Sequence, residues 1–182
     1  RFRRDRALLL EMVTVNPYIL KFAREDLRGD RELVLAAVAT DGLAIQYASE
    51  DLRNDREVVT AAIKSAGAAL NHVPEHFRND RELVYAAMDQ AGAGGLLCPP
   101  RFWNDRDFVF RALRESDRFF PYVSEELRGD KEVALAAVKI DDGNMYFVAE
   151  KLRGDRDFML TAMAIASRRV LKFATPSLMN DK

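Results

Sequence analysis

One stretch, Leu27-Arg28-Gly29-Asp30-Arg31-Glu32-Leu33-Val34-Leu35-Ala36-Ala37-Val38, returns along the whole chain with a period of 25 residues, and this recurrence constrains the fold more than any other feature. The apolar residue that opens each copy is Phe2, Leu27, Leu52, Phe77, Phe102, Leu127, Leu152 or Leu178, so six spacings are 25 and the last is 26. Three residues further on, every copy has an aspartate: Asp5, Asp30, Asp55, Asp80, Asp105, Asp130, Asp155 and Asp181. A basic residue always follows, Arg at 6, 31, 56, 81, 106 and 156 and Lys at 131 and 182. A unit this short cannot bury a core alone, so consecutive copies must stack and share one.

The aspartate stands directly before the apolar run, where its carboxylate can accept hydrogen bonds from the free N–H groups of a first helical turn. Asp5, Asp30, Asp55, Asp80, Asp105, Asp130 and Asp155 are therefore predicted as structural N-caps. The acidic residue two places later, such as Glu32 or Asp107, adds negative charge at the positive end of the helix dipole. The helix this starts, from Arg31 to about Thr40, is apolar over Leu33, Val34, Leu35, Ala37 and Val38. That face is too broad for a one-sided stripe and must be covered from more than one direction. Gly42, Gly67 and Gly92 follow, where a left-handed C-cap favours glycine. The next segment places Ala44, Ile45, Tyr47 and Ala48 at the spacing of a second helix of about 8 residues.

The predicted fold class is all-α: an α-solenoid of seven ~25-residue helical-hairpin repeats plus the start of an eighth, forming a single repeat domain over residues 1–182. Leucine-rich repeats share this range of periods, but the Leu-x-x-Leu-x-Leu signature is absent and the core runs are rich in alanine. Neither end carries the polar capping repeat of a solenoid, so the chain is expected to belong to a longer protein.

The run Leu52-Arg53-Asn54-Asp55-Arg56-Glu57-Val58-Val59, with Ala61-Ala62-Ile63 after it and Ala44-Ile45-Gln46-Tyr47-Ala48-Ser49-Glu50 before it, resembles the repeats of the domain of unknown function 4116 family. The resemblance extends over essentially the whole chain and fails locally from Gly92 to Pro100. It implies a helical repeat without an assigned activity and supplies no catalytic or binding residue.

Charge and chemistry narrow the function. The 28 Lys and Arg residues against 29 Asp and Glu give a net charge of −1, which lacks the basic excess of a nucleic-acid binder. No apolar run approaches a membrane span, and the single cysteine, Cys98, excludes an internal disulfide and is compatible with a reducing compartment. His72 and His76 are separated by Pro74, which spoils the helix that would align them as metal ligands; His72 also shares a column with Phe22, Tyr47, Tyr122 and Phe147 and reads as a core aromatic substitute. Gly92-Ala93-Gly94-Gly95 lacks the Lys and Ser/Thr of a phosphate loop, and no serine or cysteine has a histidine partner in a recognisable motif. The sequence thus predicts no catalytic residue, no cofactor and no metal.

What remains is a non-enzymatic repeat module that binds or holds other proteins. A structural accessory subunit with permanent contacts and a single-stranded RNA-binding repeat are the alternatives, the latter because polar positions at the ends of the first helices vary between copies, as in Lys64-Ser65-Ala66 and Arg114-Glu115-Ser116. The pattern breaks in the middle, at Gly94, Gly95, Pro99, Pro100 and Pro121, and there Trp103 replaces the arginine found at 3, 28, 53, 78, 128 and 153. That column reads as solvent-facing, so Phe102, Trp103, Phe119 and Phe120 are the candidate partner patch. The alternative is that these aromatics plug the space left by the broken helix.

Overall fold

Each copy that lies wholly within the described residues folds as one long α-helix followed by two short helical pieces. The computed structural model describes residues 5–90 and 98–179, and among these there is no strand. The chain divides into two units, residues 1–98 and 99–182. Unit 1 carries the long helices Arg6–Val13, Arg31–Thr40, Arg56–Ser65 and Arg81–Asp89. Unit 2 carries Arg106–Glu115, Lys131–Ile140 and Arg156–Ile165. Within each unit, successive long helices pack on one another and on the short pieces between them, which is an all-α repeat solenoid.

The broad apolar face is used as the pattern implies. Leu33, Val34, Ala37 and Val38 are fully buried, as are Val58, Val59, Ala62 and Ile63 in the next helix. The Arg31–Thr40 helix touches Arg56–Ser65 on one side and the 3-10 helix Gly42–Tyr47 on another. Burying one such Val, Leu or Ile side chain contributes roughly 1.5–3 kcal/mol, so the long helices carry most of the apolar stabilisation.

The second arm of the hairpin differs from the single helix expected. In the second copy it is a 3-10 helix, Gly42–Tyr47, then the one-turn α-helix Glu50–Arg53. Between them Ala48 and Ser49 have extended ψ values near 160°. Ser49 then caps the one-turn helix by accepting from the Leu52 N–H, and Ser124 does the same for Leu127 in unit 2. Pro121 sits inside the 3-10 helix Asp117–Tyr122, where the absence of its N–H disturbs less than in an α-helix interior. Of the predicted break between Gly92 and Pro100, residues 92–97 lie outside the described residues.

The glycines also have a different role from the one predicted. Gly42 and Gly67 open 3-10 helices and do not adopt a left-handed backbone. A Cβ on Gly42 would lie 1.9 Å from the Ala62 carbonyl oxygen, and one on Gly67 would lie 2.4 Å from that of Ala87. At these two positions glycine is needed because the start of the short piece presses on the backbone of the next long helix. Gly92, the third of the set, lies outside the described residues.

Candidate functional site

The most regular chemistry in the molecule lies where one repeat meets the next. Each predicted capping aspartate stands at the N-terminus of its long helix, and in Asp30, Asp55, Asp80, Asp130 and Asp155 the two carboxylate oxygens divide two tasks. In unit 1, Asp30 Oδ1 accepts the Leu33 N–H at 3.0 Å while Oδ2 accepts Arg6 Nε at 2.5 Å. Asp55 Oδ1 accepts the Glu57 and Val58 N–H groups, and Oδ2 accepts Arg31 Nε at 3.2 Å. Asp80 repeats this with Glu82 N–H at 2.9 Å and Arg56 at 2.6 Å. In unit 2, Asp155 accepts the Phe158 N–H and Lys131 Nζ, both at 2.8 Å. Asp130 caps Glu132 and Val133, with Arg106 Nε 3.6 Å from its second oxygen. Asp5 accepts the Leu8 N–H at 3.1 Å and Asp105 the Phe108 N–H at 2.9 Å.

The basic residues Arg6, Arg31, Arg56, Arg106 and Lys131 therefore reach forward to the next copy. Arg6, Arg31, Arg56 and Arg106 also bond the glutamate two residues beyond that copy's aspartate: Glu32, Glu57, Glu82 and Glu132. These contacts set the ionisation. The Arg6 guanidinium holds the Asp30 carboxyl below the usual carboxylate range, against the opposing effect of partial burial. For Asp55 the Val58 N–H is the main cause, with Arg31 adding to it. Burial acts most strongly on Asp80 and would raise its pKa, but Arg56 and the Leu83 N–H outweigh it. Lys131 and the Phe158 N–H lower Asp155. Carboxylates held ionised between a helix end and a cation join repeats; they are poor proton donors or acceptors near neutral pH.

The aromatic set departs from its predicted exposure. Trp103 is only 4% exposed, and Phe102, Phe119 and Phe120 are buried as well, so the four form no open patch. The indole packs edge-on to Phe108 at 5.4 Å and lies 5.9 Å from both Phe119 and Tyr122, centroid to centroid. Phe102 adds a contact to Phe108 at 5.0 Å. The physical reason lies in the column itself. Arg28, Arg53, Arg128 and Arg153 are half-buried, with Nε enclosed, so their stems run through the joint between repeats. A tryptophan at such a position occupies the joint completely. The His72 column is also different: Phe22 and Tyr122 are exposed, so it forms a rim and not a core.

That arginine column is the feature the sequence reading missed. Among the described residues, Arg28, Arg53, Arg78, Arg128 and Arg153 make no ion pair, and Nε of all but Arg78 is buried without a hydrogen-bond partner. The signal was present as a recurring arginine three residues before each basic ladder position, but periodicity does not distinguish a paired guanidinium from an unpaired one. Among the described residues, no three His, Cys, Asp or Glu side chains come together as a metal site would require. No helix of the described residues is long and apolar enough to cross a membrane.

No curated protein and no solved structure matches the chain. The family model for the domain of unknown function DUF4116 matches it four times, over residues 30–78, 55–92, 96–128 and 130–179. These matches follow the repeat through both units and span well over half of the sequence, and the chain belongs to the DUF4116 family.

Proposed function

We propose that this chain is a non-enzymatic scaffold module that binds other proteins as part of a larger protein or assembly. The observation that carries the reading is how each repeat divides its surface. The ladder charges at Asp30, Asp55, Asp80, Asp130 and Asp155 are engaged between repeats, whereas positions that vary from copy to copy, such as Lys64, Arg114, Lys139 and Ile140, are exposed. A fixed framework presenting variable side chains is how repeat proteins recognise extended partners. Single-stranded RNA is disfavoured by the net charge of −1, since phosphate binding depends on a surplus of cations.

The test is purification of the full-length protein with and without nuclease, followed by quantitation of what remains bound. The expected result is a protein retained at fixed stoichiometry, insensitive to nuclease. Retention of RNA that is lost steeply as salt rises would overturn the reading.

A further inference from the structure

Consecutive repeats are joined by one recurring backbone hydrogen bond in addition to the charge ladder. At four joints the residue before a one-turn helix donates its N–H to a carbonyl near the end of the preceding short helical piece. In unit 1 the Ser49 N–H bonds the Arg28 carbonyl at 2.9 Å. In unit 2, Ser124 bonds Trp103 at 2.9 Å, Ala149 bonds Arg128 at 3.1 Å and Thr175 bonds Arg153 at 3.2 Å. At the corresponding joint of unit 1 the donor position is Pro74, which has no N–H to give to Arg53. An open groove of about 620 Å³ lies at this joint, and its lining includes Arg53, Pro74 and Arg78.

The groove presents a specific set of unused groups. Two guanidiniums, Arg53 and Arg78, face a single carboxylate, Glu50, and neither arginine makes an ion pair among the described residues. The Arg53 carbonyl lacks the donor that its counterparts receive. The Asn71 amide, the His72 ring and Gln46, whose amide already donates to the Leu43 carbonyl, complete the polar lining.

We infer that this groove binds an acidic peptide segment in extended conformation, with a peptide N–H bonding the Arg53 carbonyl and an Asp or Glu side chain bridging Arg53 and Arg78. The inference rests on the protein-binding reading for its class of partner and names the chemistry that partner presents. Extended backbone supplies the donor that proline removed, and carboxylates match the fork of donors on arginine. Glu50 within the groove opposes a densely charged phosphate backbone but accommodates a peptide whose acids alternate with neutral residues.

The experiment is fluorescence anisotropy on the full chain with an end-blocked peptide of alternating Glu and Ala. A Gln/Ala peptide and an oligouridylate of equal length serve as competitors. The Glu/Ala peptide is expected to bind, and Arg53→Gln and Arg78→Gln are each expected to weaken it about tenfold, the effect of one charge-assisted hydrogen bond. Pro74→Ser, which restores the N–H found at position 49, should close the joint and weaken binding to a similar degree without lowering the melting temperature. Arg128→Gln, in the same column at a closed joint, should leave affinity unchanged.

Unaltered binding in Pro74→Ser, equal loss in Arg128→Gln, or tighter binding of the oligouridylate each overturns the inference. So does an absence of binding to the wild-type chain. A co-purified protein that stays on the Pro74→Ser and Arg78→Gln chains also overturns the groove, while leaving the broader protein-binding reading in place. Groove-dependent peptide binding without any co-purified protein supports the groove and counts against the broader reading alone.

Discussion

The Arg53 joint of unit 1 and the Trp103 joint of unit 2 occupy the same place in their repeats but have opposite physical characters. At the first, an arginine stem lies in the joint, the donor to its carbonyl is replaced by Pro74, and a polar groove opens. At the second, an indole fills the joint, Ser124 supplies the hydrogen bond, and Phe108, Phe119 and Tyr122 close over the ring. The ladder aspartates flanking both joints cap their helices alike, so the difference does not arise from the caps. It arises from side-chain volume and from one N–H group. A repeat can thus keep its framework and vary what its joints expose.

The comparison can be broken most forcefully at Trp103. Trp103→Ala should destabilise unit 2 by about 3–5 kcal/mol, the range for deleting a buried aromatic, measured by chemical denaturation. Trp103→Arg combined with Phe119→Ala copies the arrangement at Arg53 and Ala69, and should recover part of that loss if volume is what distinguishes the joints. The next effect belongs to the 3-10 helix Gly67–His72, whose Asn71 and His72 line the open groove. Gly67→Ala places a methyl against the Ala87 carbonyl and should cost about 1–3 kcal/mol by overpacking, read as a lower melting temperature.

The ladder predicts equality. Asp80→Ala and Asp130→Ala should each cost about 0.5–2 kcal/mol, the range for a lost helix cap, despite the different joints nearby. A marked inequality would mean that the ladder and the joints are coupled. Asp30, Asp55, Asp80 and Asp155 titrate lower when folded than the ordinary value of 3.8. Their contribution is therefore complete above about pH 4 and is lost as acid takes the pH from there down through the folded pKa values. Acid denaturation followed by circular dichroism should show this loss, and asparagine at these positions should flatten it.

The smallest effect is the most diagnostic. Ala149 has a φ of −58° and no side-chain cap bond, so Ala149→Pro removes little besides the N–H to Arg128. The lost bond and the stiffer unfolded chain act in opposite directions, and the net change should be below about 1 kcal/mol. Hydrogen exchange around residues 128 and 149 should nevertheless rise, converting a closed joint into one like that at Arg53.

The sequence by itself determined the period, the all-α class, the start of each long helix and the apolar positions that pair across the stack. These follow from short-range rules: an aspartate carboxylate reaches the N–H two or three residues ahead, and apolar spacing within a helix specifies its buried face. Tertiary structure decided the rest. Whether the Arg53 column meets solvent or threads a joint, why Gly42 must lack a side chain, and where the second oxygen of Asp30 is engaged all depend on contacts 20 to 25 residues away. The missing bond at Pro74 belongs with them, because a proline shows that an N–H is absent but not which carbonyl, 21 residues earlier, would have received it. Such contacts depend on the crossing geometry of one repeat on the next, which periodicity alone does not specify.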